Sequence, residues 1–398
     1  MNTNSMQGVK NLKHLQTKLQ PLLKKFVEKG PAGCALAVHR QGEKIFEDFV
    51  GVADLETGKP ITADTIYRIY SMTKVVTCTA ALMLYERGAF LLNDPLEEYL
   101  PEFKNPLVYR KSDTGEMYTS PASRSITVKD LFTMTSGLTY PGEGNETERQ
   151  VAKAMQSLEK QDKKMTTRQV SQALAAIPLA FDPGTRWHYG LSHDVLGALI
   201  EVISGKSFGQ FLQEEIFDPL GMEDTFFRIP EAKKGRLCSN YRRNEQGELI
   251  KNTEMDANIQ ADAKFESGGG GLLSTLHDYS RFAQMLANGG TLDGERIIGR
   301  KTIELMATNQ LRPENRENYN WNYLSGYGYG LGVRVMIDPA LGGANSSLGE
   351  FGWSGLLGTW VTIDPVEKLS AVYMQQMLPN FESYHQPRLR SVIYGALS

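Results

Sequence analysis

The segment Ser71-Met72-Thr73-Lys74 constrains this 398-residue chain more than any other, because of the residues on either side of it. Residues 64–70 are mostly apolar and aromatic, which predicts a short strand that ends at the serine. Residues 75–84 are apolar or small, which predicts a buried helix that begins just after the serine. The pattern therefore places Ser71 at the start of a core helix, with Lys74 one turn further along the same face.

This spacing is typical of nucleophilic serine-lysine pairs. The first residues of a helix leave backbone N–H groups unpaired, and a buried amine is expected to have a lowered pKa and to accept the serine proton. The alternative is that Ser71 only caps the helix, while the Lys74 side chain extends to solvent. The same spacing recurs at Ser157-Leu158-Glu159-Lys160, within a charged segment where we expect a solvated surface helix or loop.

Strand signals stand near both ends of the chain. Apolar runs bounded by turn residues predict one antiparallel hairpin over residues 34–38 and 44–50, and another over 358–363 and 369–374. An amphipathic helix precedes the first hairpin, and we expect it to be interrupted near Pro21. The two ends of the chain are therefore predicted to be rich in strands.

The middle of the chain is mostly helical in its pattern, between the serine-lysine segment and about residue 216. Such an order of elements predicts two units. One is an α/β domain with an antiparallel sheet, made of residues 1–74 and 235–398. The other is an inserted all-α domain of residues 75–234, and we expect the active site in the cleft between them.

Composition and charge exclude several classes of function. The net charge of −3 and a pI near 6.1 argue against nucleic acid or a membrane surface as a partner. No apolar stretch is long enough to span a bilayer, and the N-terminus lacks a secretory pattern, so we expect a cytoplasmic protein. Cys34, Cys78 and Cys238 have no metal-ligand spacing, and we predict neither a metal site nor a cofactor.

Two later segments could complete a serine-lysine site. Tyr189 lies between a turn and a predicted helix, where it could shuttle a proton, although its local sequence by itself favours a packing residue at the domain boundary. Trp353-Ser354-Gly355 reads as part of a glycine-containing edge strand, and such a strand can turn a backbone N–H toward an oxyanion. Glycine-rich edges are common, so this second signal is weak by itself.

Two glycine patterns are predicted to be decoys. Gly205-Lys206-Ser207-Phe208-Gly209 matches the G-x-S-x-G nucleophile elbow, but a helix pattern precedes it where the elbow needs a strand, so Gly205 is expected to be a helix C-cap. Residues 267–273 contain four consecutive glycines without the Gly-Lys-Ser/Thr of a phosphate loop. We expect this run where one chain segment passes close to another.

Six segments occur in an order that resembles a known family. They are Ser71-Met72-Thr73-Lys74, residues 126–138, Tyr189 with Asp194-Val195-Leu196-Gly197, residues 219–225, residues 267–272 and the strand of Trp353-Ser354-Gly355. From about Gly33 onward the chain resembles the class C β-lactamase-like serine hydrolases, and within them the family VIII carboxylesterases. The resemblance implies a β-lactamase/transpeptidase-like fold, in which helices flank an antiparallel sheet and a helical lobe is inserted.

The resemblance also implies catalytic roles. Ser71 would be acylated, Lys74 would act as its base, and Tyr189 would share the proton and pass it on. The backbone N–H groups of Ser71 and Leu356 would form the oxyanion hole.

Two departures from the penicillin-recognising pattern bear on the substrate. Trp353 stands where Lys-Thr/Ser-Gly would supply a cation, and Leu191 stands where Tyr-x-Asn would supply an amide. Tryptophan offers apolar surface and one N–H donor but no charge, so a neutral ester is favoured over a substrate with a carboxylate. We predict Trp353, Ser354, Gly355 and Leu191 as substrate-binding residues, and we expect residues 141–164 and 312–325 to shape the pocket.

The predicted function is that of a cytoplasmic serine carboxylesterase for small or short-acyl esters, with at most a weak β-lactamase side activity. Its predicted partner is a small-molecule ester, with no nucleic acid and no membrane, and the oligomeric state stays open. Three alternatives also stay open: an acyltransferase of the same fold, a β-lactamase or D,D-peptidase, and a non-catalytic scaffold.

Overall fold

The computed structural model describes residues 3–161, 165–253, 259–260 and 262–397. The strands are β1 Gly33–Arg40, β2 Glu43–Asp54, β3 Lys59–Pro60, β4 Ile66–Arg68, β5 Leu107–Lys111, β6 Met117–Pro121, β7 Tyr241–Arg243, β8 Leu249–Lys251, β9 Leu273–Thr275, β10 Thr291–Leu292, β11 Glu295–Arg296, β12 Tyr327–Tyr329, β13 Arg334–Met336, β14 Phe351–Ser354, β15 Trp360–Asp364, β16 Leu369–Gln375 and β17 Met377–Leu378. The α-helices are α1 Thr3–Lys29, α2 Thr73–Glu86, α3 Val128–Phe132, α4 Glu146–Gln161, α5 Thr167–Ala175, α6 Ser192–Ser204, α7 Phe208–Leu212, α8 Leu276–Ala287, α9 Arg300–Met306, α10 Pro313–Arg316, α11 Pro339–Gly342 and α12 Glu382–Gly395.

An eight-stranded antiparallel sheet, in the order β12-β13-β14-β15-β16-β1-β2-β3, forms the largest layer. Its central neighbours β1 and β16 come from opposite ends of the chain, with Ala35 opposite Met374. Alternate side chains of β1 point to opposite faces: Leu36 joins the core that also holds residues of α1 and α12, whereas Ala35 and Ala37 join the main core with α8. Because both faces are covered, β1 is apolar along its whole first half.

The helix α2 starts within the serine-lysine segment, at Thr73, and is buried at every position from Thr73 to Leu84. It packs against α6, and a helix enclosed in this way needs no polar face. The predicted buried helix is therefore confirmed. Among the described residues no single helix is long and apolar enough to cross a membrane, although α6 and the bent stretch 208–217 satisfy length and composition as a pair.

The large sheet draws its strands only from residues 33–60 and 327–375, while residues 75–234 contribute helices and the hairpin β5–β6. The main buried core nevertheless extends from the sheet residue Ala35 to Leu196 in α6 without a break. The predicted domain boundaries at residues 74 and 235 therefore stay a prediction, although the division into strand-rich ends and a helical middle matches the structure.

The helix α1 is continuous across Pro21, so the predicted interruption is wrong. Pro21 is exposed, whereas Leu19 and Leu23 on the other side of the helix are buried against the sheet. Proline removes one backbone hydrogen bond, but the packing of the buried face keeps the helix in place. The local sequence pattern contains no information on this packing, which is why it predicted an interruption.

The second serine-lysine spacing lies on α4, where Ser157 and Lys160 are both exposed. The predicted surface position is therefore confirmed. Residues 162–164 of the same segment lie outside the described part of the chain.

Candidate active site

Ser71 lies on a 3-10 turn, Tyr70–Met72, that leads directly into α2. Tyr70 has a φ of 42°, a left-handed conformation that is uncommon for residues other than glycine and often marks functional sites. This turn takes the chain sharply from β4 to α2. It thereby places Ser71 at the N-terminal end of a buried helix, at the wall of a cavity.

Lys74 is completely buried, so the alternative of a solvent-exposed lysine is wrong. Its Nζ donates to Ser71 Oγ at 3.2 Å, to Tyr140 Oη at 2.9 Å and to the carbonyl oxygen of Gly269. An ammonium has three N–H donors, and these three acceptors satisfy all of them. The arrangement therefore holds Lys74 as a charged group, aimed at the serine hydroxyl.

The protonation of Lys74 differs from the expectation drawn from its burial. Desolvation alone lowers the pKa of the Lys74 ammonium, but the neighbouring Tyr140 and Tyr189 outweigh this effect and raise the pKa above its ordinary value. The prediction of a lysine with lowered basicity is therefore wrong for the resting site. The group formed by Lys74 and the tyrosines has to lose a proton before it can accept one from Ser71.

Tyr140 is a residue of the site that the sequence analysis missed. Its hydroxyl accepts the Lys74 hydrogen bond, and its ring centroid lies 5.6 Å from that of Tyr189. Burial raises the pKa of the Tyr140 phenol, and the nearby Lys74 charge opposes this rise in part. Its position just two residues beyond the recognised segment 126–138 was the available signal.

Tyr189 lies beside the same lysine and lines the cavity. Its ring centroid is 4.6 Å from Lys74 Nζ, and its hydroxyl accepts a hydrogen bond of 2.9 Å from Trp353 Nε1. The neighbouring Gly190 explains the placement, because a Cβ there would lie 2.4 Å from the carbonyl oxygen of Leu138. This close passage brings the segment of Tyr189 against the segment of Tyr140.

The glycine run also belongs to the site. A Cβ on Gly268 would lie 2.3 Å from the carbonyl oxygen of His193, and one on Gly269 would lie 2.5 Å from Asp194 Oδ2. Asp194 Oδ1 in turn accepts from the Ser267 hydroxyl and from the Gly269 N–H, and burial raises the pKa of this carboxyl group. The predicted close passage is confirmed, and it positions the carbonyl that binds Lys74.

The predicted oxyanion donors, the N–H groups of Ser71 and Leu356, both belong to residues that line the cavity. Gly355 lies tightly against the chain just before the turn that carries Ser71, since a Cβ there would be 2.4 Å from the carbonyl oxygen of Ile69. The Gly355 N–H donates to the carbonyl oxygen of Thr359 at 2.8 Å, whereas the Leu356 N–H donates to none of the described residues. This geometry is compatible with the predicted pair, and the role itself stays a prediction.

The cavity beside Ser71 has a volume of about 710 Å³. It is lined by Ser71, Tyr189, Asn320, Trp321, Asn322, Tyr323, Trp353, Ser354, Gly355, Leu356, Asn380, Glu382 and Ser383. Three of the four predicted substrate-binding residues, Trp353, Ser354 and Gly355, therefore line the cavity. The predicted edge position of the Trp353 strand is wrong, because β14 is paired on both sides, with β13 and with β15. That the site lies between two domains stays a prediction.

Leu191 is the predicted substrate-binding residue that the structure does not bring to the cavity. It is only 7% exposed, belongs to the main core and precedes α6. Of the two segments expected to shape the pocket, 312–325 contributes Asn320, Trp321, Asn322 and Tyr323. The described part of 141–164 contributes no lining residue, because most of it forms the surface helix α4.

The G-x-S-x-G pattern is confirmed as a decoy. Gly205 ends α6 in a left-handed conformation, with a φ of 69°. Ser207 then caps α7, where its Oγ accepts from the Gln210 N–H at 3.2 Å. Its hydroxyl is occupied in a helix cap and does not line the cavity.

The chain is similar to known proteins over nearly its whole length. The model of the Beta-lactamase family matches residues 19–392. Protein Rv1367c of Mycobacterium tuberculosis is 33% identical over 370 residues, which cover 91% of this chain and 90% of that protein. Esterase EstB of Burkholderia gladioli is 28% identical over 364 residues, covering 87% of this chain and 86% of that protein.

A solved structure shows the same fold. EstCE1, described as a hydrolase with promiscuous acyltransferase activity, matches with a TM-score of 0.80 at 22% identity, covering 96% of this chain and 99% of that chain. The predicted β-lactamase/transpeptidase-like fold, an antiparallel sheet flanked by helices, is thereby confirmed. The chain belongs to the Beta-lactamase family, as its ordered motifs predicted, and is related there to serine hydrolases that include carboxylesterases.

Proposed function

We propose that this protein is a serine carboxylesterase that cleaves small or short-acyl esters through an acyl-enzyme on Ser71. The observation that carries the proposal is the 3.2 Å contact between Ser71 Oγ and the buried Lys74 Nζ at the wall of an open cavity. Membership of the Beta-lactamase family and the similarity to an esterase over most of both chains support it.

Acylation begins when the Ser71 oxygen attacks the carbonyl carbon of the ester. The serine proton moves into the group formed by Lys74 and the tyrosines, once that group has lost a proton. Of the two tyrosines beside Lys74, Tyr140 and Tyr189, it is Tyr189 that lines the cavity. Tyr189 is therefore placed to transfer a proton to the leaving alcohol. The Lys74 ammonium and the Trp353 N–H both lie beside Tyr189 and stabilise negative charge that develops on its oxygen.

Deacylation repeats the same steps with water in place of the alcohol. The N–H groups of Ser71 and Leu356 would stabilise the oxyanion in both halves of the reaction. Water adds to the acyl carbon, its proton passes to the tyrosine-lysine group, and the bond to Ser71 Oγ breaks with return of the proton to that oxygen. The products are a carboxylic acid and free enzyme.

An acyltransferase is the second candidate. EstCE1, with the same fold, is described as a hydrolase with promiscuous acyltransferase activity, and the cavity is open enough to admit an alcohol acceptor instead of water. Product analysis of p-nitrophenyl butyrate cleavage in the presence of a competing alcohol separates the two. A new butyrate ester as the main product would favour transfer, and butyrate would favour hydrolysis.

The nucleophile is tested with Ser71→Ala and with Ser157→Ala as its matched control. Ser157 occupies the same S-x-x-K spacing but lies on the exposed surface of α4. We expect S71A to lose at least about a thousandfold in kcat on p-nitrophenyl butyrate and to lose labelling by a fluorophosphonate probe, while S157A keeps both. Cleavage by S71A at the native rate would refute the assignment, and a native protein that neither cleaves nor labels would favour a scaffold.

A further inference from the structure

Glu382 is the one charged residue among those that line the cavity in the described part of the chain. It lies in the first turn of α12, a position that stabilises a negative charge. Its carboxylate accepts from the Ser354 hydroxyl at 2.9 Å, from Gln386 Nε2 at 3.4 Å and from the Tyr323 hydroxyl, all neutral groups. No described lysine, arginine or histidine pairs with it, so this end of the cavity carries a negative charge, whereas the Lys74 ammonium lies beside Ser71 and does not itself line the cavity.

The hydrogen-bond donors at the end of β14 are already used within the protein. The Ser354 hydroxyl donates a hydrogen bond to Glu382, and Trp353 Nε1 donates one to the Tyr189 hydroxyl at 2.9 Å. This end of the strand therefore offers a ligand lone pairs and a negative charge, while the Ser354 hydroxyl and the Trp353 N–H are not available to donate to it. An anionic group would be repelled here, whereas a cationic group would find a counter-ion.

Aromatic rings continue the wall beside this carboxylate. The rings of Trp321 and Tyr323 are stacked with centroids 6.0 Å apart, and Trp321 lies 6.2 Å from Trp353 and 5.4 Å from Tyr189. The faces of such rings carry negative electrostatic potential and attract cations. Aromatic faces together with a carboxylate are the groups that bind alkylammonium ions in proteins.

We propose that the cavity recognises esters that carry an alkylammonium group, with the cation held between Glu382 and the aromatic wall of Trp321, Tyr323 and Trp353. The inference rests on the proposed esterase function and specifies its substrate class. The acyl carbon lies at Ser71, and the charged part of the ester occupies the end of the cavity at Glu382.

The test compares butyrylcholine with 3,3-dimethylbutyl butyrate, in which a neutral carbon replaces the quaternary nitrogen. The native enzyme should show a kcat/KM at least about tenfold higher for butyrylcholine. Glu382→Gln should lower the ratio of the two kcat/KM values about tenfold. Glu245→Gln changes the net charge equally at an exposed position outside the cavity, and it should leave the ratio unchanged.

The outcomes separate the inference from the proposed function. If the neutral ester is cleaved without any preference for the cation, the inference is overturned while the esterase assignment stands. If neither ester is cleaved, quenching of tryptophan fluorescence by tetramethylammonium replaces the kinetic assay. Saturable quenching that weakens at least about fivefold in E382Q supports the cation site, and the absence of saturable quenching overturns it.

Discussion

The state of a single residue, Lys74, sets the chemistry of this site. It is fully buried, yet three oxygen acceptors surround its Nζ and the neighbouring tyrosines hold its pKa above the ordinary value. A protonated lysine cannot take the serine proton. The reactive form is therefore the one in which the group of Lys74, Tyr140 and Tyr189 has lost a proton, and its population grows with pH.

The protonation of Lys74 should govern the pH dependence of kcat/KM. Because the reactive group must be deprotonated, kcat/KM should rise with pH through an alkaline limb. Tyr140 and Tyr189 together raise the pKa of Lys74 against the effect of burial. Tyr140→Phe removes one of these two contributions and should therefore move the alkaline limb to lower pH. The measurement is the pH profile of p-nitrophenyl butyrate hydrolysis, corrected for spontaneous hydrolysis.

Tyr118→Phe is the control for this profile, because Tyr118 is exposed on β6. Its limb should coincide with that of the native enzyme. An unchanged alkaline limb in Y140F, or one displaced to higher pH, would contradict the assignment of Tyr140 as a residue that raises the pKa of Lys74.

At the scale of elements, Ser71 is placed by the packing of α2 against the glycine run and against the end of β14. Neither neighbour leaves room for a side chain, because a Cβ at Gly268 would meet the carbonyl oxygen of His193 in α6 and one at Gly355 would meet that of Ile69. Two loops and one helix start thus form a rigid frame around Ser71 and Lys74. Rigid support of this kind preserves the geometry on which rates depend.

Gly268→Ala tests this frame. A Cβ there meets the carbonyl oxygen of His193 at 2.3 Å, so the turn must move and take the neighbouring Gly269 carbonyl away from Lys74. We expect a loss of about tenfold or more in kcat/KM and about 1–3 kcal/mol in the free energy of unfolding. Gly235→Ala, where a Cβ meets nothing within 4 Å, should leave both quantities nearly unchanged, and equal effects of the two variants would count against a frame.

The strands β12, β13 and β14, at one side of the large sheet, depend on a buried ion pair. Glu350 is fully buried and pairs with Arg334 of β13 at 3.0 Å, while the hydroxyl of Tyr327 in β12 donates to it at 2.9 Å. Burial opposes ionisation, but Arg390 and Arg334 hold the pKa of this carboxyl below its ordinary value. Glu350 therefore links β12, β13 and β14 as an ion.

Glu350→Gln should lower the free energy of unfolding by about 3–5 kcal/mol, because it leaves a buried arginine without its counter-charge. Urea denaturation followed by circular dichroism gives the value. Glu367→Gln removes a partly exposed partner of Arg40 and should cost less than about 1 kcal/mol. Similar losses of unfolding free energy in the two variants would show that the buried ion pair stabilises the fold no more than the partly exposed one.

At the scale of the whole molecule, the chain closes its sheet by pairing β1 with β16 and buries both faces of it. This burial includes histidines that are held neutral. Desolvation above all lowers the pKa of His193 to about 3, and that of His39 and His385 to about 4 each. In the unfolded chain each of them returns to its ordinary value near 6.5.

The sign of the resulting pH dependence follows from proton linkage. Above pH 6.5 these rings are neutral in both states, whereas between about pH 4 and 6.5 only the unfolded state protonates them, so stability falls as pH falls. We expect a loss of about 2–5 kcal/mol in the free energy of unfolding from pH 7 to pH 5, measured by urea denaturation. His193→Gln should reduce this slope and the exposed His277→Gln should not; identical slopes in all three proteins would rule out the linkage.

Ordered local motifs predicted that Ser71, Lys74 and Tyr189 belong to one site, and the structure brings these three residues together, while their catalytic roles stay proposals. The sequence did not predict Tyr140 or Glu382, since neither belongs to a segment whose local pattern differs from ordinary packing or a helix start. Leu191 was placed in the pocket by analogy of position, but the turn before α6 directs it into the core. Side-chain direction at such a junction depends on the elements packed around it.

Local patterns by themselves determined that this chain has a buried helix after Ser71, strands at its two ends, helices between them, and the motif order of the Beta-lactamase family. The periodicity of helices and strands, like the preference for turn residues, depends on a few neighbouring positions. These features can therefore be predicted from the sequence. Only the tertiary structure decided the protonation of Lys74, the acceptors around it and the charge of the cavity. Those properties arise from groups far apart in the chain, and burial and electrostatic interaction depend on distance in space.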